Sequence, residues 1–184
     1  MLLEDTQAEL IEACRRGEPE AHRALFEQYK DRVYSIALRY SGDAAAADDI
    51  TQDTFLKLFG AIANFRGDSG FDSWLYRLVV NACFDQRRRG RRLLPLLDTV
   101  VGLFRSPGRD PLDGVLVGEQ RGALRAAIDS LEPDQRMVVI LRYSAELSFE
   151  EIAAVLECPA GTVASRLNRA HGALEKRLRK GKHV

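Results

Sequence analysis

Apolar residues recur along this chain at every third or fourth position, which lines one face of an α-helix, and no stretch alternates with the two-residue period of a strand. The pattern predicts an all-α protein: an N-terminal helical bundle and a C-terminal four-helix domain with a helix-turn-helix, joined by a flexible linker. Leu25, Phe26, Tyr29, Val33, Ile36, Ala37 and Tyr40 make one stripe, closed by the turn signal "SGD" at 41–43. Ile50, Leu58, Phe59 and Ile62 make a second, entered through the helix-favouring run 43–49. Phe71, Trp74, Leu75, Leu78, Val79 and Ala82 make a third, which follows the loop "RGDSG" and runs into "DQRRRGRR". Three such stripes joined by short polar turns can bury one another, so residues 1–90 are expected to form the first domain.

The pattern fails over 91–118, where Pro95, Pro107, Pro111 and interspersed glycines interrupt any regular element, and this segment reads as the linker. Helices resume over 119–184. Leu124, Ile128 and Leu131 carry the first, and Pro133 stands where the opening position of the next helix tolerates a missing N–H. In "SFEEIAAVLECPAGTVASRLNRAHGAL", Ser148 and Glu151 have the spacing of a capping box, "CPAGT" turns the chain after about Glu157, and a last helix keeps Val163, Leu167, Ala170, Leu174 and Leu178 inward. Helix, tight turn, helix is the arrangement whose second member enters the DNA major groove. Thr162, Ser165, Arg166 and Arg169 then fall at i, i+3, i+4 and i+7 and project together, each able to hydrogen-bond a base edge or a phosphate. The plain alternative is an ordinary helical hairpin with a solvated polar face. The coincidence of capping box, Pro-Gly turn, small outward residues and a basic tail (Arg177, Arg179, Lys180, Lys182) favours DNA.

Charge sharpens this picture. The 184 residues carry 27 basic and 27 acidic side chains, yet the two signs are segregated. Residues 1–64 hold 7 bases and 12 acids, 65–92 hold 7 and 3, 93–150 hold 6 and 9, and 151–184 hold 7 and 3. Two basic islands between acidic segments suit a protein with two separate polyanion contacts, although solvated charged faces would give the same count. The N-terminus "MLLEDTQAELIEACRRG" lacks the basic start and apolar run of a signal peptide, and no run of about 18 apolar residues occurs, so a soluble cytoplasmic protein is expected. Cys14, Cys83 and Cys158 are odd in number and far apart, which suits reduced thiols better than a disulfide framework or a zinc site.

"SLEPDQRMVVILRYSAELSFEEIAAVLECPAGTVASRLNRAHGAL" resembles the C-terminal domain of bacterial sigma factors of the extracytoplasmic-function (ECF) group, and "DDITQDTFLKLFGAIANFRGDSGFDSWLYRLVVNACFDQRRR" resembles their N-terminal domain. Both matches occur in family order and cover nearly the whole chain. The resemblance implies an alternative sigma factor that binds core RNA polymerase and directs promoter-specific initiation at minus-ten and minus-thirty-five elements. No cofactor or metal is expected from the resemblance, and an anti-sigma protein is an expected partner. For docking on the basic coiled coil of the largest polymerase subunit, the matching residues are Asp48, Asp49, Gln52, Asp53 and Phe55; the acids would orient the encounter and the aromatic would supply a desolvated anchor. A solvated acidic face is the alternative.

For the minus-ten element the matching residues are Phe65, the loop from Arg66 through Asp68 to Gly70, and Asn81, with Arg77, Arg87, Arg88 and Arg89 following the phosphates. An aromatic can stack on an extruded base and an amide can read its edge. Core packing competes for Phe65 and is the preferred reading of Trp74. Trp74 and Leu75 stand where housekeeping sigma factors carry paired aromatics, which implies weaker duplex melting. Thr162, Ser165, Arg166 and Arg169 match the minus-thirty-five reader, with Ala164 where many members carry Lys or Arg.

Two other classes fit less well. A dimeric repressor would need an apolar dimer face and a palindromic site. An enzyme would need a nucleophile, a metal cluster or a phosphate loop, and His22, His171 and His183 are scattered. The apolar linker run "LLPLLDTVVGLF" at 93–104 needs cover from the protein's own domains, an inhibitory partner or a polymerase channel.

Overall fold

The computed structural model describes residues 2–65, 67, 70–97 and 115–180. The linker from 98 to 114, including the end of the apolar run, lies outside the described residues, as do Arg66, Asp68 and Lys182. Among the described residues the chain is helical throughout, with no strand. In order come α1 (Leu2–Arg15), α2 (Pro19–Ser41), α3 (Ala44–Ala61) with a short 3-10 turn (Ile62–Asn64), α4 (Phe71–Leu97), α5 (Val115–Asp129), α6 (Pro133–Tyr143), α7 (Phe149–Leu156) and α8 (Ala160–Lys180).

Local chemistry sets the helix ends. Pro19 opens α2, and Gly42 closes it at φ +75°, where its N–H donates to the Leu38 carbonyl; a side chain in that left-handed conformation would be strained. Asp43 then caps α3 by accepting from Ala46 N–H at 2.8 Å. Ser148 and Glu151 close the anticipated capping box at 2.7 and 3.2 Å, and Glu157 in the left-handed region (φ 50°) ends α7. The sequence pattern did not anticipate α1, whose apolar positions are few: Leu10, Ile11 and Cys14 pack inward between charged neighbours. Nor did it anticipate that α4 continues past 91 to Leu97, carried by the strong helix formers that flank Gly90.

In the N-terminal body, α2 contributes Leu25, Tyr29, Val33, Ile36 and Tyr40, α3 contributes Ile50, Phe55 and Leu58, and α4 contributes Leu75, Tyr76, Val79 and Val80, all buried. Each fully buried aliphatic contributes about 1.5–3 kcal/mol from apolar burial. Thr54, buried among them, donates to the Ile50 carbonyl at 2.7 Å and so leaves no polar atom unpaired. Tyr29, Gln7, Arg32 and Asp72 tie α1, α2 and the start of α4 together; burial, then the hydrogen bond to Asp72, drives the Tyr29 hydroxyl far above its ordinary pKa. Met137, Val138, Leu141, Ile152, Val155, Val163, Leu167 and Ala170 form the C-terminal core.

The two bodies touch, and their buried residues belong to one continuous apolar cluster. Helix α6 packs against α2, and α7 against α4. Arg136 donates to the Tyr40 carbonyl at 2.8 Å and Arg125 to the Gly42 carbonyl at 3.1 Å, so two guanidiniums sit on the electronegative C-terminal end of α2. Cys14 and Cys83 are buried, Cys158 is half-buried, and all three are free thiols; burial pushes the Cys83 thiol up to about 12.

Candidate functional site

On α3, Asp48, Asp49 and Gln52 point to solvent and Asp53 is half-exposed. Asp53 is also engaged within the chain, by Arg89 of α4 at 3.1 Å. Phe55 is corrected: the expected interface anchor is only 4% exposed and belongs to the core. Its ring lies 4.7 Å from that of Phe26 and 5.9 Å from that of Phe59. The physical reason is helical phase, since Phe55 shares the inward face with Ile50, Leu58 and Ile62. The outward apolar residue is its neighbour Leu56, which the sequence reading passed over.

The minus-ten candidates gather around α4. Phe65 is half-buried, its ring 4.9 Å from that of Trp74 and 5.7 Å from that of Phe71. Trp74 packs on the core from the rim, as its place in the apolar stripe suggested. Asn81 lies two turns further along the same face of α4 as Trp74 and is exposed, so an aromatic platform and an amide share one side of the helix. Arg87 is half-buried near Tyr40.

Acids of the chain hold the neighbouring cations. Arg77 pairs with Glu157 of the α7–α8 turn at 3.2 Å. Arg88 pairs with Asp85 and Arg89 with Asp53. Burial raises the pKa of Asp85, but hydrogen bonds from Arg88 and Lys57 outweigh it and hold the carboxyl below its usual range.

On α8 the exposed ridge is Ser165, Asn168, Arg169 and Gly172, which span about 100° of the helix. Thr162 and Arg166 sit on its shoulder, both half-buried. Arg166 reaches inward to Asp134 at the start of α6, 2.7 Å away, and its side chain is 24% exposed. The structure therefore brings Ser165 and Arg169 together as read from the sequence, draws Arg166 toward α6, and adds Asn168. An Asn one turn from Ser165 was the signal that could have found it, because its amide can bond an adenine edge in two places. Among the described residues no group of three or more His, Cys, Asp or Glu side chains converges.

Comparison with known proteins gives these surfaces a context. Residues 25–93 match the family Sigma-70 region 2, and residues 121–174 match Sigma-70, region 4. The RNA polymerase sigma-H factor of Pseudomonas aeruginosa is 34% identical over 186 residues, covering 97% of this chain and 96% of that protein. The ECF RNA polymerase sigma-E factor of Escherichia coli K12 is 37% identical over 185 residues, 94% of each. In three dimensions the chain is similar to the sigma factor RpoE of Bartonella quintana, solved with the anti-sigma factor NepR, with TM-score 0.69, 24% identity and coverage of 85% of this chain and 96% of that one. It is equally similar in fold to CnrH, solved with the cytosolic domain of CnrY, with TM-score 0.69, 23% identity and coverage of 93% and 96%. Two matched regions in order and relatives aligned over nearly their full length lead to one assignment: the chain belongs to the ECF group of RNA polymerase sigma factors, which direct promoter-specific transcription initiation.

Proposed function

We propose that the work of initiation is divided among three surfaces of this chain, the acidic face of α3 holding core polymerase, the Phe65 and Asn81 side of α4 taking the minus-ten strand, and the ridge of α8 reading the minus-thirty-five duplex. The observation that carries this reading is the α8 ridge. Ser165, Asn168 and Arg169 stand together on a helix whose approach angle is fixed by the α7 capping box and by the buried Val163, Leu167 and Ala170. Phe65 and Asn81 suit an unstacked base by ring stacking and edge hydrogen bonds, and Arg87, Arg88 and Arg89 follow its phosphates. The division goes with an N-terminal region that extends through α4 to Leu97 and a C-terminal region that begins with α5 at Val115, narrower linker bounds than the 91–118 expected from the sequence.

The chain itself catalyses no reaction in this scheme; it lends polymerase its promoter choice. In this scheme it works in the cytoplasm, beside the polymerase it serves, and an anti-sigma protein holds it inactive, as the similar RpoE is solved with the anti-sigma factor NepR. Run-off transcription tests the reading: purified core polymerase plus this chain should initiate at discrete sites in a fragmented genomic library. Asn81→Ala should alter preference at one minus-ten base, and Arg169→Ala should weaken upstream binding. Transcripts no different from core polymerase alone would overturn the proposal.

A further inference from the structure

An ion pair of α4 crosses between the two bodies. Arg77 meets Glu157 at 3.2 Å, and Glu157 is the residue that closes α7 and enters the turn of the helix-turn-helix. Its backbone stands at φ 50°, a left-handed conformation in which a side chain is strained and glycine is not. An acid therefore occupies a place that suits glycine, and its carboxylate reaches across to the other body. The Glu157 side chain is 73% exposed, so solvent and dissolved ions have access to the pair. Trp74, Arg77 and Asn81 fall at i, i+3 and i+7 on α4, which sets the pair on the face that offers the aromatic platform and the amide.

We propose that Glu157 stands in for a DNA phosphate: in the free chain its carboxylate occupies the Arg77 guanidinium, holds the helix-turn-helix turn against α4, and gives way when a minus-ten strand arrives. This rests on the reading of α4 as the minus-ten surface and adds an intramolecular competitor to it. Carboxylate and phosphate each offer a guanidinium two oxygens, so they are alternatives for one site. Nor can the pair persist on a promoter. Elements centred about 25 base pairs apart lie about 85 Å apart along the duplex. With Arg77 on Glu157, Asn81 and Ser165 stay within about 40 Å, even with the chain between Glu157 and α8 fully extended. Engaging both elements therefore breaks the pair, and a strand phosphate on Arg77 replaces what is lost. Asp85 and Asp53 differ, because each lies on the same body as the cation it holds and can stay near it when DNA binds.

The test is a titration of the full-length chain with a fluorescent single-stranded minus-ten oligonucleotide at one fixed low salt concentration, with a thermal melt of every variant. Glu157→Gln should bind the strand about two- to fivefold more tightly, as expected when an exposed ion pair no longer competes. Glu157→Gly, which also relieves the left-handed backbone, should melt no lower than the wild type and show the same gain. In an Arg77→Ala background, itself weaker for the strand, Glu157→Gln should change nothing. Glu175→Gln, which removes an exposed acid far along α8, should leave strand affinity at the wild-type value. Unchanged affinity in Glu157→Gln, or a gain that survives in Arg77→Ala, overturns this inference while leaving α4 as the strand-binding surface. A wild-type chain that takes up no strand, alone or with core polymerase, overturns the reading of α4 itself.

Discussion

The cations of α4 and those of α8 face the same kind of ligand under different constraints. On α4, Arg77, Arg88 and Arg89 each rest against an acid of the chain, Glu157, Asp85 and Asp53 respectively. On α8, Arg169 donates to the Ser165 carbonyl at 3.3 Å and meets no acid among the described residues, while Arg166 is held by Asp134. Exposed ion pairs of this kind are worth about 0–1 kcal/mol each, so the α4 cations are restrained rather than locked. Phosphates can displace the acids, but each displacement lessens the gain from binding. On the proposed division of surfaces, the difference teaches that the α8 ridge is nearly ready-made for DNA, whereas the α4 surface must exchange partners first. A chain of zero net charge can thus bind DNA at two places, because affinity follows the local field.

The comparison can be broken first at the framework beneath it. Phe55→Ala should destabilise the chain by about 3–5 kcal/mol through lost burial and the cavity left behind, read as a lowered denaturant midpoint. This would loosen the packing of α3 on α2 without touching a surface residue. Next in size, Arg169→Ala should cost about 1–3 kcal/mol on a minus-thirty-five duplex and relax preference at one position if it contacts a base. If it contacts a phosphate, it should instead lower the salt slope by about one. Ser148→Ala should cost about 1 kcal/mol of stability by opening the α7 cap, measured by denaturant titration, with the α4 surface unaffected.

That cap also carries a pH dependence. The backbone hydrogen bond from Ser148 lowers the Glu151 pKa, so its contribution is fully present above the ordinary glutamate value near 4.5 and is lost as pH falls through the folded value. A denaturation series from neutral pH down into the acid range should show this loss in the wild type and not in Glu151→Gln. The smallest effect sharpens the comparison itself. Asp53→Asn should free Arg89 and strengthen binding of a single-stranded minus-ten oligonucleotide by the isolated chain about two- to fivefold, as expected from a pair worth at most about 1 kcal/mol.

Much of this was legible in the sequence because helical burial follows a fixed period. The stripes on α2 and α4, the capping box of α7 and the inward set Val163, Leu167 and Ala170 all lie where the pattern put them. Phe55 and Leu56 show how the reading fails. Adjacent residues differ by about 100° on a helix, and choosing the aromatic by type ignored the phase already set by Ile50, Leu58 and Ile62. Arg166 shows a different limit. Its partner Asp134 lies 32 residues away on another helix, a contact no local spacing contains. Asn168 was missed because the spacing i, i+3, i+4, i+7 from Thr162 selects one side of the exposed ridge, and Asn168 stands on the other. Pro95 was read among the residues that interrupt any regular element from 91 on, whereas α4 continues through it to Leu97.

The most direct measurement is a footprint of core polymerase assembled with the wild-type chain and with Arg169→Ala on one promoter, scoring upstream protection and downstream strand opening separately. Two separate surfaces predict that Arg169→Ala loses protection at the minus-thirty-five element while the opened minus-ten region and the start site stay where they were. Equal loss at both elements, or no protected promoter even with the wild-type chain, would contradict the account.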